Sequence, residues 1–292
     1  MRSMLFLLFL FVGACGDVGD GGSKAIGGNS PLIQIQMQKS ASDLVAASPV
    51  QFSEECMSEV NMCWYKIEKH FGDSDLPTVV VNKTLTLEHV AGISIVVDEN
   101  ESDNVEDVEL SIRSLPDYSR HEEYQAFLYA LIDKVKAAGW HHYYAPFDPR
   151  VSGSQSDKIT SPNKVLGDYV MSHPWLDPNY RLDLARWLKV DDFYTWHFFS
   201  GDGYLTVQAW RRDSDEAPAE RGTYLVSLSF KSQSEYWRSA FDSAKEKEKW
   251  EELLPLKLKE YQAIRATREE KARDAGIEVD VGYQDPPIQA LK

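Results

Sequence analysis

Long hydrophobic runs are absent. The leading apolar stretch, Met4 to Val12, holds nine residues, whereas a bilayer-spanning helix needs about 20, so no membrane-crossing segment is expected. Also absent are a Gly-rich phosphate loop, a GxSxG turn, and the HExxH, HxxEH and CxxC spacings. The usual sequence signs of P-loop nucleotide binding, of a hydrolase nucleophile elbow and of a zinc centre are therefore missing. Positive charge is in short supply: 31 Lys and Arg face 46 Asp and Glu, a formal net charge of −15. Binding to a polyphosphate backbone is driven by basic side chains displacing counterions, so nucleic acid is excluded as a partner. Adsorption to anionic lipid is disfavoured on the same grounds. What is present is a folded composition, 43% hydrophobic and 12% aromatic, enough to bury a sizeable core.

The first sixteen residues carry an address. Arg2 supplies a short positive start, Met4 to Val12 (MLFLLFLFV) an apolar centre, and Val12-Gly13-Ala14-Cys15 follows. The arrangement fits a secretory signal peptide. Its end resembles the bacterial lipobox, in which small residues precede a Cys that is acylated and becomes the mature N-terminus. That resemblance implies a signal peptide over 1–14 and lipidation at Cys15. An ordinary cleavable signal after Ala14, with an incidental Cys, is the plainer alternative. Gly16 in place of Asp implies a lipid anchor in the outer membrane, with the body facing the periplasm. More than one acyl chain makes such anchoring stable. Residues 15–48 then read as a lipidated flexible tether, opened by the Gly/Ser/Asp-rich GDVGDGGSKAIGGNS. Alternation in PLIQIQMQ (31–38) allows a short edge strand within it.

With Cys15 acylated, Cys56 and Cys63 remain as an even pair in an oxidising compartment, and a disulfide is the favoured reading. On a continuous helix they would sit about 10 Å apart, beyond the reach of a bridge. The disulfide therefore requires a loop or hairpin at 56–63, with a strand starting at Cys63. A metal site is the alternative, but no further ligands can be placed.

Two α+β units follow, 49–152 and 163–292. In the first, 78–87, 92–98 and 105–113 are β-branched or alternate in period two. A helix is expected after the capping-box pattern Ser119-Arg120-His121-Glu122, with Tyr124, Phe127, Leu128, Leu131, Ile132 and Val135 on one face and Gly139 as its stop. WHHYYAPF (140–147) reads as a returning strand, and the Pro/Ser/Gly-rich stretch 146–164 as the boundary. In the second unit, Asp177-Pro178 reads as a helix start with Leu182, Ala185, Leu188 and Trp187 on its buried face. FYTWHFFS, Gly201-Asp202-Gly203 and YLTVQAW form the clearest hairpin, followed by a strand at 223–230. A helical run capped at Ser232 continues to about Asp274, with Pro255 expected to kink it, and IEVDV (277–281) reads as a last strand. The fold class is α+β: two small units of mainly antiparallel sheet with packed helices, plus a long C-terminal helical segment.

Residues arranged for catalysis are few. His141 and His142 are neighbours on a strand and point to opposite faces, His121 sits in a helical first turn, and His197 alternates within an aromatic strand, so all read as surface or packing residues. Ser161 and Lys164 satisfy the SxxK spacing of penicillin-binding acyl transferases, but no SDN or KTG partner follows. No catalytic residue, metal ligand or cofactor is assigned. Acidic side chains cluster in two loops, Asp98, Glu99, Glu101, Asp103, Glu106 and Asp107 in the first unit and Asp213, Asp215, Glu216 and Glu220 in the second. Such a field speeds capture of a cationic partner. Trp196, Tyr204, Trp210 and Trp237, with Asp202 in the hairpin turn, are candidate anchors near these loops. The plainer alternative is that the acids keep a tethered domain soluble and the aromatics are core.

Taken with Val12-Gly13-Ala14-Cys15, the organisation over 50–280 resembles the periplasmic immunity lipoproteins that bacteria pair with phospholipase effectors of the type VI secretion system. The resemblance implies a secreted effector, a lipase, as partner and stoichiometric inhibition as mechanism. Two other readings stay open: an envelope hydrolase or peptidoglycan-acting lipoprotein using Ser161 and Lys164, and a secretion adaptor that binds without inhibiting.

Overall fold

In a computed structural model the described residues are 30–201 and 203–291; the leader, Cys15, the Gly-rich start of the tether and Asp202 lie outside them. In chain order come β1 (Leu32–Ile35), α1 (Ala41–Ala47), β2 (Ser53–Met57), β3 (Met62–Glu68), β4 (Thr78–Val81), β5 (Leu85–Leu87), β6 (Val90–Asp98), β7 (Asp107–Ile112) and β8 (Ser119–Arg120). Then follow α2 (His121–Ala137), β9 (His141–His142), β10 (Lys164–Val165), β11 (Asp168–Tyr169) and α3 (Leu184–Trp187). The chain closes with β12 (Phe193–Ser200), β13 (Gly203–Asp213), β14 (Arg221–Ser232), α4 (Gln233–Arg238), α5 (Ala244–Lys247) and α6 (Trp250–Asp274). The class is α+β with mainly antiparallel sheets and a long C-terminal helix. No described helix is long and apolar enough to cross a membrane.

The antiparallel strands of the two halves join edge to edge. A nine-stranded sheet runs β2-β3-β6-β7-β14-β13-β12-β9, with β8 also on β14. The seam is β7 against β14, where Leu110 faces Leu228 and Asp107 faces Lys231. Period-two alternation puts one set of side chains on a common face: Ile93 and Ile95, Val108 and Leu110, Leu228 and Phe230, Leu205 and Val207, Trp196 and Phe198. That face packs in one core with α2 and with the small sheet β1-β4-β5. Helix α2 brings Tyr124, Leu128, Leu131, Ile132 and Val135, all buried, with Phe127 half-covered.

Several expectations shift by identifiable physics. The capping box sits one residue later: Glu123, not Glu122, accepts the Arg120 N–H at 2.9 Å, while Gly139 does take the left-handed conformation (φ 90°) that ends the helix. The segment 31–47 is part of the fold rather than tether, because Ile33, Ile35, Met37 and Ala41 find apolar partners and β1 pairs in parallel with β4. The Pro/Ser/Gly-rich stretch after 146 is packed too, with Val151 and Ile159 buried against Ala272 and Ile277. Asp177 caps no helix; its carboxylate is spent on the N–H groups of Gly153 at 2.7 Å and Asn179 at 2.8 Å. A helix starts instead at Leu184, capped by Asp183. Only His141–His142 of the expected 140–147 strand pairs, and 277–281 forms no strand. The C-terminal helical run breaks at 239–243 and 248–249, whereas Pro255 lies inside α6 in an early turn, on an exposed position.

Cys56 and Cys63 form the disulfide, facing each other across the β2–β3 hairpin. The hairpin that their spacing requires is present, its second strand beginning at Met62, one residue before Cys63.

Candidate functional site

The two acidic loops lie at opposite ends of the sheet. The first joins β6 to β7 and sits beside Lys231 at the end of β14; the second joins β13 to β14 beside Gly222 at its start. At about 3.4 Å per residue they are on the order of 30 Å apart, so they do not form one contact surface.

The first loop builds a cleft. Asp98 ends β6, Asp107 starts β7, and the ladder to β14 sets both beside the entry to α4. Ser232 caps α4 by accepting the Glu235 N–H at 3.1 Å, and its hydroxyl donates to Glu106 at 2.6 Å. Arg238, one turn on, donates to Glu235 at 2.7 Å and reaches Glu101 at 3.0 Å and Asp98 at 3.3 Å. Around this single guanidinium lies a cavity of about 340 Å³ lined by six carboxylates, Asp98, Glu101, Glu106, Asp107, Glu235 and Glu251, with Trp250 and Met62 as apolar wall. Burial raises the Asp107 carboxyl above its ordinary pKa, against the pull of Lys231 at 3.0 Å. Asp103 instead accepts the hydroxyls of Ser40 at 2.6 Å and Ser42 at 3.0 Å and so ties α1 to the loop. Glu99 is exposed. Glu235, Arg238, Trp250 and Glu251 escaped the sequence reading, because nothing local marks a helix that folds back onto a distant loop.

Of the aromatic candidates, Trp196, Tyr204 and Trp237 are core residues, 1%, 4% and 2% exposed, and offer no surface to a partner. Trp210 is exposed, and the register sets it in a row with Phe193 on β12 and Leu225 on β14, both also exposed. Asp215, Glu216 and Glu220 are at the same end of the sheet and all three are exposed, while Asp213 is held by Arg211 at 3.0 Å.

The remaining candidates are spoken for. Ser161 donates to Asn163 at 3.1 Å, and the Lys164 ammonium lies 4.2 Å from the Tyr169 ring centre, so these two side chains do not pair with each other. Among the described residues the one grouping of three metal-type side chains is Glu54, Cys56 and Cys63, and both sulfurs are used in the disulfide. His142, His173 and His197 are packed, and burial lowers the pKa of each, to about 4 for His173 and His197.

His173 gives a pH prediction. It is 4% exposed, and its Nδ1 accepts the Trp175 N–H at 3.2 Å, which needs the neutral ring. With an unfolded pKa near 6.5, the native preference for the neutral form is fully felt above pH 6.5. It is lost as the pH falls towards 4, at a cost of about 3 kcal/mol. Buried Asp148, pushed up to about 6 by burial, works in the opposite direction over part of that window and flattens the total. The comparison is therefore between variants: His173→Asn keeps an acceptor for the Trp175 N–H and should lose less stability than wild type between pH 6.5 and 4.5 in urea titrations. Equal losses would remove His173 as a source of the slope.

No protein-family model, curated protein or solved structure matches the chain.

Proposed function

We propose that the chain is an outer-membrane lipoprotein, facing the periplasm, that binds and inhibits a toxic secreted effector, a phospholipase, as an immunity protein. The observation that carries the binding half is the cleft at the 98–107 loop: six carboxylates, three of them on Arg238 and a fourth on Lys231, with an indole at the wall. Such a concave negative surface favours a basic protein patch and raises its association rate. The lipase identity rests on the resemblance through Val12-Gly13-Ala14-Cys15 and the organisation that follows. Inhibition here needs no chemistry from this chain; occupying the partner's active-site entrance is enough.

Capture from lysate of the source organism, followed by lipase assays with and without the bait, tests the reading. A one-to-one lipase partner whose activity falls with bait supports it; capture of a secretion component with no inhibition would replace it by the adaptor reading. Within a complex, the reversals Glu99→Lys, Glu101→Lys and Glu251→Lys together should slow association by about tenfold or more at low salt. Stopped-flow rates unaffected by these reversals and by salt would take the cleft out of the contact.

A further inference from the structure

The β2 edge of the sheet is built to receive another strand. β2 ends the nine-stranded order, all five of its residues are exposed, and among the described residues its outer side pairs with nothing. The direction of its backbone groups follows from the register. Asn61 accepts the Glu99 N–H and Lys69 donates to the Ala91 carbonyl, so odd-numbered residues of β3 turn their backbone towards β6. Even-numbered Met62, Trp64 and Lys66 therefore bond Met57, Glu55 and Ser53 of β2. The Cys56–Cys63 pair, with Cα atoms 4.1 Å apart, is the narrow, non-hydrogen-bonded type that this alternation requires. Glu54 and Cys56 thus direct both N–H and C=O away from the sheet, four ladder groups in a row.

We propose that this edge binds an extended, cationic segment of a partner protein as an added strand. The charge chooses the occupant. Across 53–68 the hairpin carries Glu54, Glu55, Glu59 and Glu68 against the single cation Lys66, which reaches Glu55 at 3.0 Å. Glu54 and Glu55 stand on opposite faces of β2, so an added strand with two adjacent basic residues meets a carboxylate on each face. A second copy of this chain would bring like charges opposite one another and is disfavoured. The edge has no Pro and no Lys, and the disulfide ties it to β3. The inference rests on the protein-binding reading above and specifies its docking mode, strand addition.

The experiment is amide hydrogen exchange on the full chain in detergent, with the peptide acetyl-Thr-Val-Lys-Arg-Val-Thr-amide as probe and its Glu-Asp counterpart as control. In the free protein Glu55 and Met57 should be protected and Glu54 and Cys56 should not. The basic peptide should slow exchange at Glu54 and Cys56 by about tenfold, the acidic one should not, and Glu54→Pro should abolish the effect. That replacement removes an outward N–H and no β2–β3 bond, so the hairpin persists. Protection elsewhere, no protection, or equal protection by the acidic peptide overturns the proposal. Lysate capture separates the two claims: a partner held equally by wild type and Glu54→Pro overturns strand addition and leaves binding standing. Capture by neither overturns the binding reading, while the peptide result still decides the edge.

Discussion

Glu269→Ala is expected to cost about 3 kcal/mol, the low end for a buried pair because Arg150 is partly exposed, yet a large share of the stability of any single chain. The reason lies in how α6 is held. Of its 25 residues only Leu254, Arg265, Glu269 and Ala272 are buried, so two of the four buried side chains are charged. Glu269, 3% exposed, takes the Arg150 guanidinium at 2.7 and 2.9 Å, the Arg150 N–H at 3.2 Å and Arg273 at 3.2 Å. One turn earlier Arg265 donates to the carbonyls of Asp148 at 3.0 Å and Ala145 at 2.8 Å. Truncating Glu269 takes the carboxylate from Arg150, which is only partly exposed, and removes the partner of Arg273. Glu269→Gln, which keeps shape and one acceptor, should lose less, and Arg150→Met with Glu269→Leu should recover much of the loss, because a matched apolar pair has no charge to desolvate. Urea midpoints at unchanged m-value are the measurement. A fall under about 1 kcal/mol for Glu269→Ala would mean that α6 is held by its apolar contacts alone. Acid should reproduce part of the effect. Burial raises the Glu269 carboxyl, but the Arg150 hydrogen bonds outweigh it and hold the pKa below the ordinary value. Its stabilisation is thus present above the unfolded pKa and lost as the pH falls through the native one.

What was legible in the sequence is what local pattern controls. The β12–β13 hairpin pairs from Phe193 with Trp210 to Ser200 with Gly203, as its alternation and Gly-Asp-Gly turn indicate. α2 is legible from its period, and the Cys pair from its spacing. The seam between β7 and β14 is not, because strands more than 100 residues apart leave no local trace of their pairing. The irregular stretch after 146 misleads for another reason: Pro, Ser and Gly signal missing regular structure, not missing burial. There the backbone is satisfied by side chains, with Asp148 accepting the N–H groups of Met171 at 2.9 Å and Ser172 at 2.8 Å. The strand aromatics show a third limit. β12 carries rings on both faces, Tyr194, Trp196 and Phe198 on one and Phe193 and Phe199 on the other, so alternation alone does not say which face is core. The acidic cleft was half legible: the loop acids stand out by composition, but α4 and Trp250 reach them only through the tertiary fold.

Trp187→Ala is the second large loss expected, about 3 to 5 kcal/mol. Trp187 is 0% exposed at the end of α3, a four-residue helix too short to stand without tertiary contacts. Its ring stacks on Tyr194 at 4.3 Å and lies 5.7 Å from Tyr129 and 6.5 Å from Tyr224, which places it between α2 and the sheet. Its indole N–H donates to the Tyr224 hydroxyl at 3.0 Å, which also meets His121 Nδ1 at 2.9 Å, and its carbonyl accepts the Tyr194 hydroxyl at 2.8 Å. Alanine would leave a cavity in close-packed surroundings and strip Tyr224 of a donor in the core. Phenylalanine keeps most of the stack and gives up the N–H, so Trp187→Phe should cost nearer 1 to 2 kcal/mol. For a fold of this size each kcal/mol moves Tm by roughly 2–4 °C. The alanine variant should therefore melt on the order of 10 °C lower by circular dichroism, and the phenylalanine variant a few degrees lower. Equal losses from the two would assign the effect to the hydrogen bond rather than to packing. A small loss from both would mean that α3 detaches from the sheet at little cost, contrary to the burial of the Trp187 contacts there.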